Sequence, residues 1–237
     1  MNHLLINGCS YAHTWKNYKD LADRLQAKTV INFGQCGSSN DRILRTTFEY
    51  ILNNPQTDFV IIMLTFETRA EAAWAVNLGD EEGSWVSYSV SGIQPNRPLA
   101  TEYNKIETAL KKYIDDKAVY DSHPAHIEKL LIDIILLTTW LRSLKINYCI
   151  FNTCEHIIKT TIELNSFDMK KMDIIRKDKR IIDIENFMSN KWMYVNGAQL
   201  SKDERAINVN PEWGHYGNDG YTMLNDFLYN YINENCL

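Results

Sequence analysis

The chain has 237 residues, 45% hydrophobic and 23% charged, the proportions of a folded globular protein with one substantial core. A net charge of -5 offers phosphate backbones nothing to bind, and the basic residues near Lys170–Lys171 and Arg176–Arg180 are interrupted by Asp and apolar side chains, so nucleic acid is excluded as a partner class. No apolar run approaches the ~20 residues of a membrane span.

The first strand begins at residue 3, leaving no room for a signal peptide, so a cytoplasmic location is expected. Five cysteines, Cys9, Cys36, Cys149, Cys154 and Cys236, make an odd count with no close pair in sequence. Their spacing fits neither a zinc knuckle nor a redox motif. Cys36 and Cys149 lie in or beside apolar runs, where buried free thiols are common.

In chain order, His3 to Asn7 reads as a short apolar strand. Residues 11–26 carry Trp15, Tyr18, Ala22 and Leu25 at helical spacing. Thr29 to Phe33 is a β-branched second strand, ending in the turn-forming stretch Gly34 to Asn40. Residues 41–53 form a helix with Leu44, Phe48, Ile51 and Leu52 on one face, stopped by Asn54-Pro55. Phe59 to Leu64 is a continuous apolar run, the pattern of a strand buried on both sides.

Residues 70–122 break this rhythm with glycines, prolines and the acidic Asp80-Glu81-Glu82. They read as an insertion after the third strand, a lid or side lobe, with a helix at 103–114. Pro124 opens a helix to about Leu144, with Ile127, Leu131, Ile134, Thr138 and Leu141 along one stripe. Tyr148 to Asn152 is a fourth strand and Arg180 to Ile184 a fifth. Asp219 to Ile232 is the closing helix, with Leu224, Phe227, Leu228 and Tyr231 inward. The βαβαβ alternation predicts an α/β fold on one parallel sheet, as a single domain over 1–237. Ligands of such sheets bind at the carboxyl ends of the strands, where Ser10, Gly37 and Thr65 to Arg69 all fall.

Two segments at opposite ends carry chemistry. Gly8-Cys9-Ser10 follows the first strand, and Glu212-Trp213-Gly214-His215 precedes the last helix. A serine hydroxyl is a weak nucleophile until a base takes its proton and a third group orients the base. His215 can be that base and Glu212 its orienting acid, delivered by one turn. The oxyanion formed by attack needs donors, and the backbone N–H groups of Ser10 and Gly37 are candidates. Each residue also has a plain structural use: Ser10 as a helix cap, His215 as a surface histidine, Gly34 and Gly37 as turn glycines. Their order along the chain, at the right ends of a parallel sheet, favours a joint role.

The chain resembles the SGNH/GDSL hydrolase superfamily. Gly8-Cys9-Ser10 stands where that family has Gly-Asp-Ser. Asn32 to Asn40 is similar to its second, glycine-containing block, and Glu212 to Tyr221 to its closing Asp-x-x-His block. The resemblance implies a flavodoxin-like three-layer α/β/α sandwich with a five-stranded parallel sheet. It also implies hydrolysis of esters, thioesters or O-acetyl groups on sugars without metal or other cofactor. The substrate would be a small-molecule or glycan ester.

The departures are specific. Cys9 replaces the family's Asp and, by strand alternation, points away from Ser10 into the core. Glu212 replaces Asp. In the third block, Thr65-Phe66-Glu67-Thr68-Arg69, Glu67 stands where the family's oxyanion-binding Asn would be, and an ionised carboxylate cannot donate. Either Glu67 turns away to pair with Arg69, or Asn40 or Thr65 supplies the donor, or catalysis is lost. The Gly-Cys-Ser start is similar to that of phage-encoded and marine bacterial members. The rival expectation is therefore a catalytically impaired binding or structural module on the same fold, such as a phage virion component gripping a glycan or protein, or a homo-oligomer.

Other groups read more simply. His123 and His126 at a helix start read as capping or surface residues rather than metal ligands. Glu155-His156 follows the fourth strand and could line the cleft. Trp74, Trp85 and Tyr88 are expected to pack the insertion, with sugar stacking as the alternative. Gly34 and Gly37 do not make a dinucleotide fingerprint.

Overall fold

The computed structural model describes residues 1–65, 69–73, 85–89, 92–93, 123–153, 166–182, 209–210, 215–216 and 218–237. The elements in chain order are β1 (His3–Gly8), α1 (Ser10–Thr14), α2 (Tyr18–Arg24), β2 (Thr29–Asn32), α3 (Asn40–Asn53) and β3 (Phe59–Leu64). They continue with β4 (Arg69–Ala73), β5 (Trp85–Ser89), β6 (Gly92–Ile93), α4 (His123–Ser143), β7 (Asn147–Asn152) and α5 (Ser166–Lys177). The last are β8 (Val209–Asn210), β9 (His215–Tyr216) and α6 (Asn218–Asn235). No described helix is long and apolar enough to cross a membrane.

The main sheet is parallel, with strand order β2-β1-β3-β7. Every residue of β1 and β3 is buried, as continuous apolar runs require when helices cover both faces. Alternation along the strands sorts their side chains into two cores. Leu4, Ile6, Phe59, Ile61 and Met63 pack with Trp15, Leu21, Leu224 and Leu228. Leu5, Val60, Ile62 and Leu64 pack with Ile43, Ile51, Leu131 and Leu137 on the other face. Ile127, Leu131, Ile134, Thr138 and Leu141 of α4 are all buried, as the stripe predicts.

Several expectations change. The expected single helix over 11–26 is two, because Trp15 leaves the helical conformation with ψ at 79°. Its indole is buried and its Nε1–H donates to Asn225 Oδ1 at 3.0 Å. Leu52 is 70% exposed, since the inward stripe of α3 runs through Ile43, Thr47 and Ile51.

Among the described residues the sheet has four strands rather than the expected five. Of the expected fifth strand, Arg180 to Ile184, residues up to Ile182 are described, and they meet β7 only through an Ile150–Ile181 bridge. That bridge rests on the Ile150 amide donating to the Arg180 carbonyl at 3.0 Å and the Ile182 amide to the Ile150 carbonyl at 2.8 Å. Just before it, the chain turns on Asp178. Asp178 accepts from the Arg180 amide (3.1 Å) and guanidinium (3.0 Å) and from the Tyr148 hydroxyl. Of the expected insertion at 70–122, β4, β5 and β6 are described and form a separate antiparallel sheet. Trp74 and the expected helix at 103–114 lie outside the described residues.

One polar side chain ties the sheet to α3. Asn7 is fully buried at the end of β1. Its Nδ2 lies 2.9 Å from the Ile43 carbonyl, 2.8 Å from Thr46 Oγ1 and 3.0 Å from Thr47 Oγ1, while its Oδ1 accepts from the Gly8 amide at 2.9 Å. Buried amides persist only when bonded in this way.

Asn7→Ala leaves those partners unsatisfied and is expected to cost about 3 kcal/mol, read as a lower urea midpoint at unchanged slope. At Asp178, burial alone disfavours the charge, but the hydrogen bonds from Tyr148 and Arg180 outweigh it and hold the carboxyl below its usual value. A carboxyl lowered on folding stabilises above the unfolded-state pKa, and that contribution fades as pH falls through the folded-state value. Asp178→Asn is therefore expected to flatten the loss of Tm between neutral and acidic pH, measured by thermal melts.

Candidate functional site

The carboxyl ends of β1, β2, β3 and β7 share one edge. Strand order reverses at β1, since β2 lies on one side of it and β3 on the other. Crevices at such reversals are where open α/β sheets hold ligands. Ser10 is the first residue of α1, directly after β1, and is partly exposed. Cys9 before it is fully buried among the residues facing α3 and α4, its Sγ 3.3 Å from Thr153 Oγ1. The alternation argument for Cys9 holds.

The loop from Phe33 to Ser39 comes next along this edge. Its Gln35 amide donates to the Gly8 carbonyl at 3.1 Å. Gly34 touches α1 so closely that a Cβ there would stand 2.4 Å from the His13 nitrogen and 2.5 Å from the Ala12 carbonyl carbon. Gly37 has φ 74°, a conformation that side chains with a Cβ avoid. Arg42 braces the loop from α3: it is 5% exposed, with one terminal nitrogen 3.4 Å from the Phe33 carbonyl and 3.2 Å from Ser38 Oγ. Cys36 in this loop is exposed, contrary to the expectation from its apolar neighbours, because β2 ends at Asn32 and the chain has already left the sheet.

Asn40 and Thr65 are buried and pair as a strand would. Asn40 Nδ2 donates to the Thr65 carbonyl at 3.0 Å, and the Thr65 amide donates back to Asn40 Oδ1 at 2.9 Å. The Asn40 side chain thus joins the start of α3 to the end of β3. Thr153 closes the row by donating from Oγ1 to the Leu64 carbonyl at 2.7 Å.

The other end of the chain reaches the same edge. His215 lies in β9, opposite Asn210 of β8. The backbone of β9 approaches α1, with Cα atoms within 8 Å, so the helix that begins at Ser10 and the strand that contains His215 are neighbours. Arg69 begins β4 and pairs across to Ser89, while Trp85 and Tyr88 belong to β5. Glu67, Glu212 and Glu155-His156 lie outside the described residues. His123 and His126 fall in the first turn of α4, and among the described residues no group of three His, Cys, Asp or Glu could hold a metal ion.

Several residues of the site went unremarked in the sequence. Asn7, Arg42 and Thr153 are polar residues buried at or under the strand ends, and the signal, for Asn7 and Arg42, was a polar letter directly abutting apolar residues. Thr14 and Tyr221 meet across more than two hundred positions, for which no local signal exists.

A family model matches residues 6–190, from within β1 to beyond Ile182. The chain belongs to the family of unknown function DUF6071. No curated protein matches the sequence. Among solved structures, the chain is similar to the psychrotrophic esterase EstA from Pseudoalteromonas sp., in a structure inhibited by monoethylphosphonate. The identity is 13%, over 99% of this chain and 98% of that one, with a TM-score of 0.51. An acetyl xylan esterase is similar at 12% identity over 96% and 98% of the two chains, TM-score 0.47. A GDSL-like lipase from Bacteroides thetaiotaomicron is similar at 10% identity over 98% and 88%, TM-score 0.44. The likeness of this DUF6071 chain to EstA is one of fold, a mixed α/β architecture on a parallel sheet.

Gly34→Ala forces the new methyl into the backbone of α1. It is expected to lower stability by about 1–3 kcal/mol, the range for overpacking, measured by chemical denaturation.

Proposed function

We propose that this chain is a divergent SGNH-type serine hydrolase acting on esters or O-acyl groups, acetyl groups on carbohydrate included. The observation that carries this is the adjacency of α1, which Ser10 begins, and β9, which contains His215. The location of α1 at the strand-order reversal supports it, as does the end-to-end fold likeness to an esterase.

In this mechanism Ser10 Oγ attacks the acyl carbon while His215 takes its proton. Glu212 orients the imidazole and stabilises the imidazolium. The tetrahedral oxyanion is held by the backbone N–H groups of Ser10 and Gly37. The left-handed Gly37 backbone brings the chain close to the acyl group without a Cβ in the way. His215 returns the proton to the departing alcohol, and water then cleaves the acyl-enzyme by the same route in reverse. Asn40, whose Nδ2 donates to the Thr65 carbonyl at the end of β3, is the side-chain candidate for a third donor. For turnover on this scheme Glu67 must keep its charge from the oxyanion, for which pairing with Arg69 is one route and an Asn40 or Thr65 donor the other.

A fluorophosphonate probe should label the wild-type chain at Ser10 and fail to label Ser10→Ala. For p-nitrophenyl acetate, Ser10→Ala and His215→Ala should each lower kcat by about 10³-fold or more. A wild-type chain that neither labels nor turns over this ester would overturn the proposal and favour a binding module on the same fold.

A further inference from the structure

We infer that Tyr221 is a positioning residue of this site, its hydroxyl fixing α1, and with it Ser10, relative to the segment that carries His215. The inference rests on the proposed hydrolase function and extends it to a residue that touches neither substrate nor the reacting atoms.

Tyr221 stands six residues after His215, in the first turn of α6. It is 2% exposed and its ring stacks on Trp15, with centroids 6.4 Å apart and planes 14° from parallel. Its hydroxyl lies 2.5 Å from Thr14 Oγ1 and 2.9 Å from the Tyr11 carbonyl. Thr14 Oγ1 in turn donates to the Ser10 carbonyl at 2.8 Å. Both of these partners lie on α1, and one of them, Thr14, is itself bonded to the backbone of Ser10.

A packing role alone would be met by phenylalanine. A buried hydroxyl costs free energy unless it is bonded, and here its bonds join two elements far apart in sequence. The anchor matters because α1 spans only Ser10–Thr14, too short to be stable by itself. Its position is therefore set by what grips it: Gly34 beneath, the Asn32 amide donating to the Ala12 carbonyl at 2.8 Å, and Tyr221 from α6. Tyr221 is the one of these on the helix that follows β9. Asn225, one turn further along α6, continues the dock by accepting from Trp15 and donating to the Asn17 carbonyl at 2.9 Å. Burial pushes the Tyr221 phenol up, against a smaller opposing effect of the Thr14 hydrogen bond, so it stays neutral and holds α1 by hydrogen bonds rather than by charge.

The test compares wild type, Tyr221→Phe and Thr14→Val on p-nitrophenyl acetate, with Ser10→Ala as control. Tyr221→Phe keeps the ring and its stacking. It is expected to lower kcat about 10- to 100-fold, the cost of a small misplacement of the nucleophile, while KM stays within about twofold. Thr14→Val should show the same split, and the double variant should lose less than the product of the two single losses, because both break one chain of bonds. The pH dependence of kcat should keep its shape and lose only height. If Ser10→Ala is inactive but Tyr221→Phe keeps wild-type kcat, or loses it only in proportion to unfolded protein, the inference fails and the hydrolase reading stands. If the wild type shows no reaction dependent on Ser10, the hydrolase reading fails and takes this inference with it.

Discussion

Two-sided burial of β1 and β3 is the constraint on which the rest of this structure depends. Neither strand has a residue that faces water, so helices must cover both faces of the sheet. Parallel neighbours in turn require crossover connections. Every strand of the main sheet therefore ends at the same edge, and every connection that follows a strand starts there. Ser10, Gly37, Asn40, Thr65 and Thr153 are gathered at one edge for this reason, although they are spread over more than half of the chain. The alternating side chains of the strands meanwhile keep Cys9 in one core and leave Ser10 at the mouth of the crevice.

Beneath that edge lies a layer of buried and part-buried polar side chains that hold the loops. Asn7 binds α3, Asn32 binds α1, Asn40 binds the end of β3, and Arg42 binds the loop around Gly37. Each bond replaces one that water would otherwise supply, and each joins elements that come from different parts of the chain. The result is a strand-end surface whose backbone is held from below, which suits a site that must present N–H groups at fixed positions. Tyr221 extends the same principle to the second helical layer, where α6 grips α1.

Particular residues mark what was legible in the chain and what was not. The strands at Leu4, Phe59 and Tyr148 and the helix around Ile134 could be read because each is a local pattern: an unbroken apolar run or a stripe at helical spacing. The break at Trp15 was not readable, since helical periodicity continues through it and only the fit of the indole against Tyr221 and Asn225 ends the helix. Of the fifth strand expected at Arg180 to Ile184, the described residues show a single bridge to β7 at Ile181, reached through a turn held by Asp178 and Tyr148. Cys36 looked like a core residue by its neighbours and is exposed because its loop has left the sheet. Cys149 and Cys236, far apart in sequence, meet in the core, where burial and then the hydrogen bond between them push the Cys149 thiol well above its ordinary value.

The amino-acid sequence by itself determined the architecture, because burial on one or both faces is written in the spacing of apolar residues and needs no knowledge of partners. It also determined which residue types were available for chemistry at the strand ends, Ser10 and Gly37 near the start and His215 near the end. The tertiary structure alone decided how those residues are held: the Asn40–Thr65 clasp, the close fit of Gly34 on α1, and the Tyr221 hydroxyl bonded to Thr14 and Tyr11. Such contacts join residues tens to hundreds of positions apart, and their strength lies in distance and direction. A sequence carries no trace of either until the chain has folded.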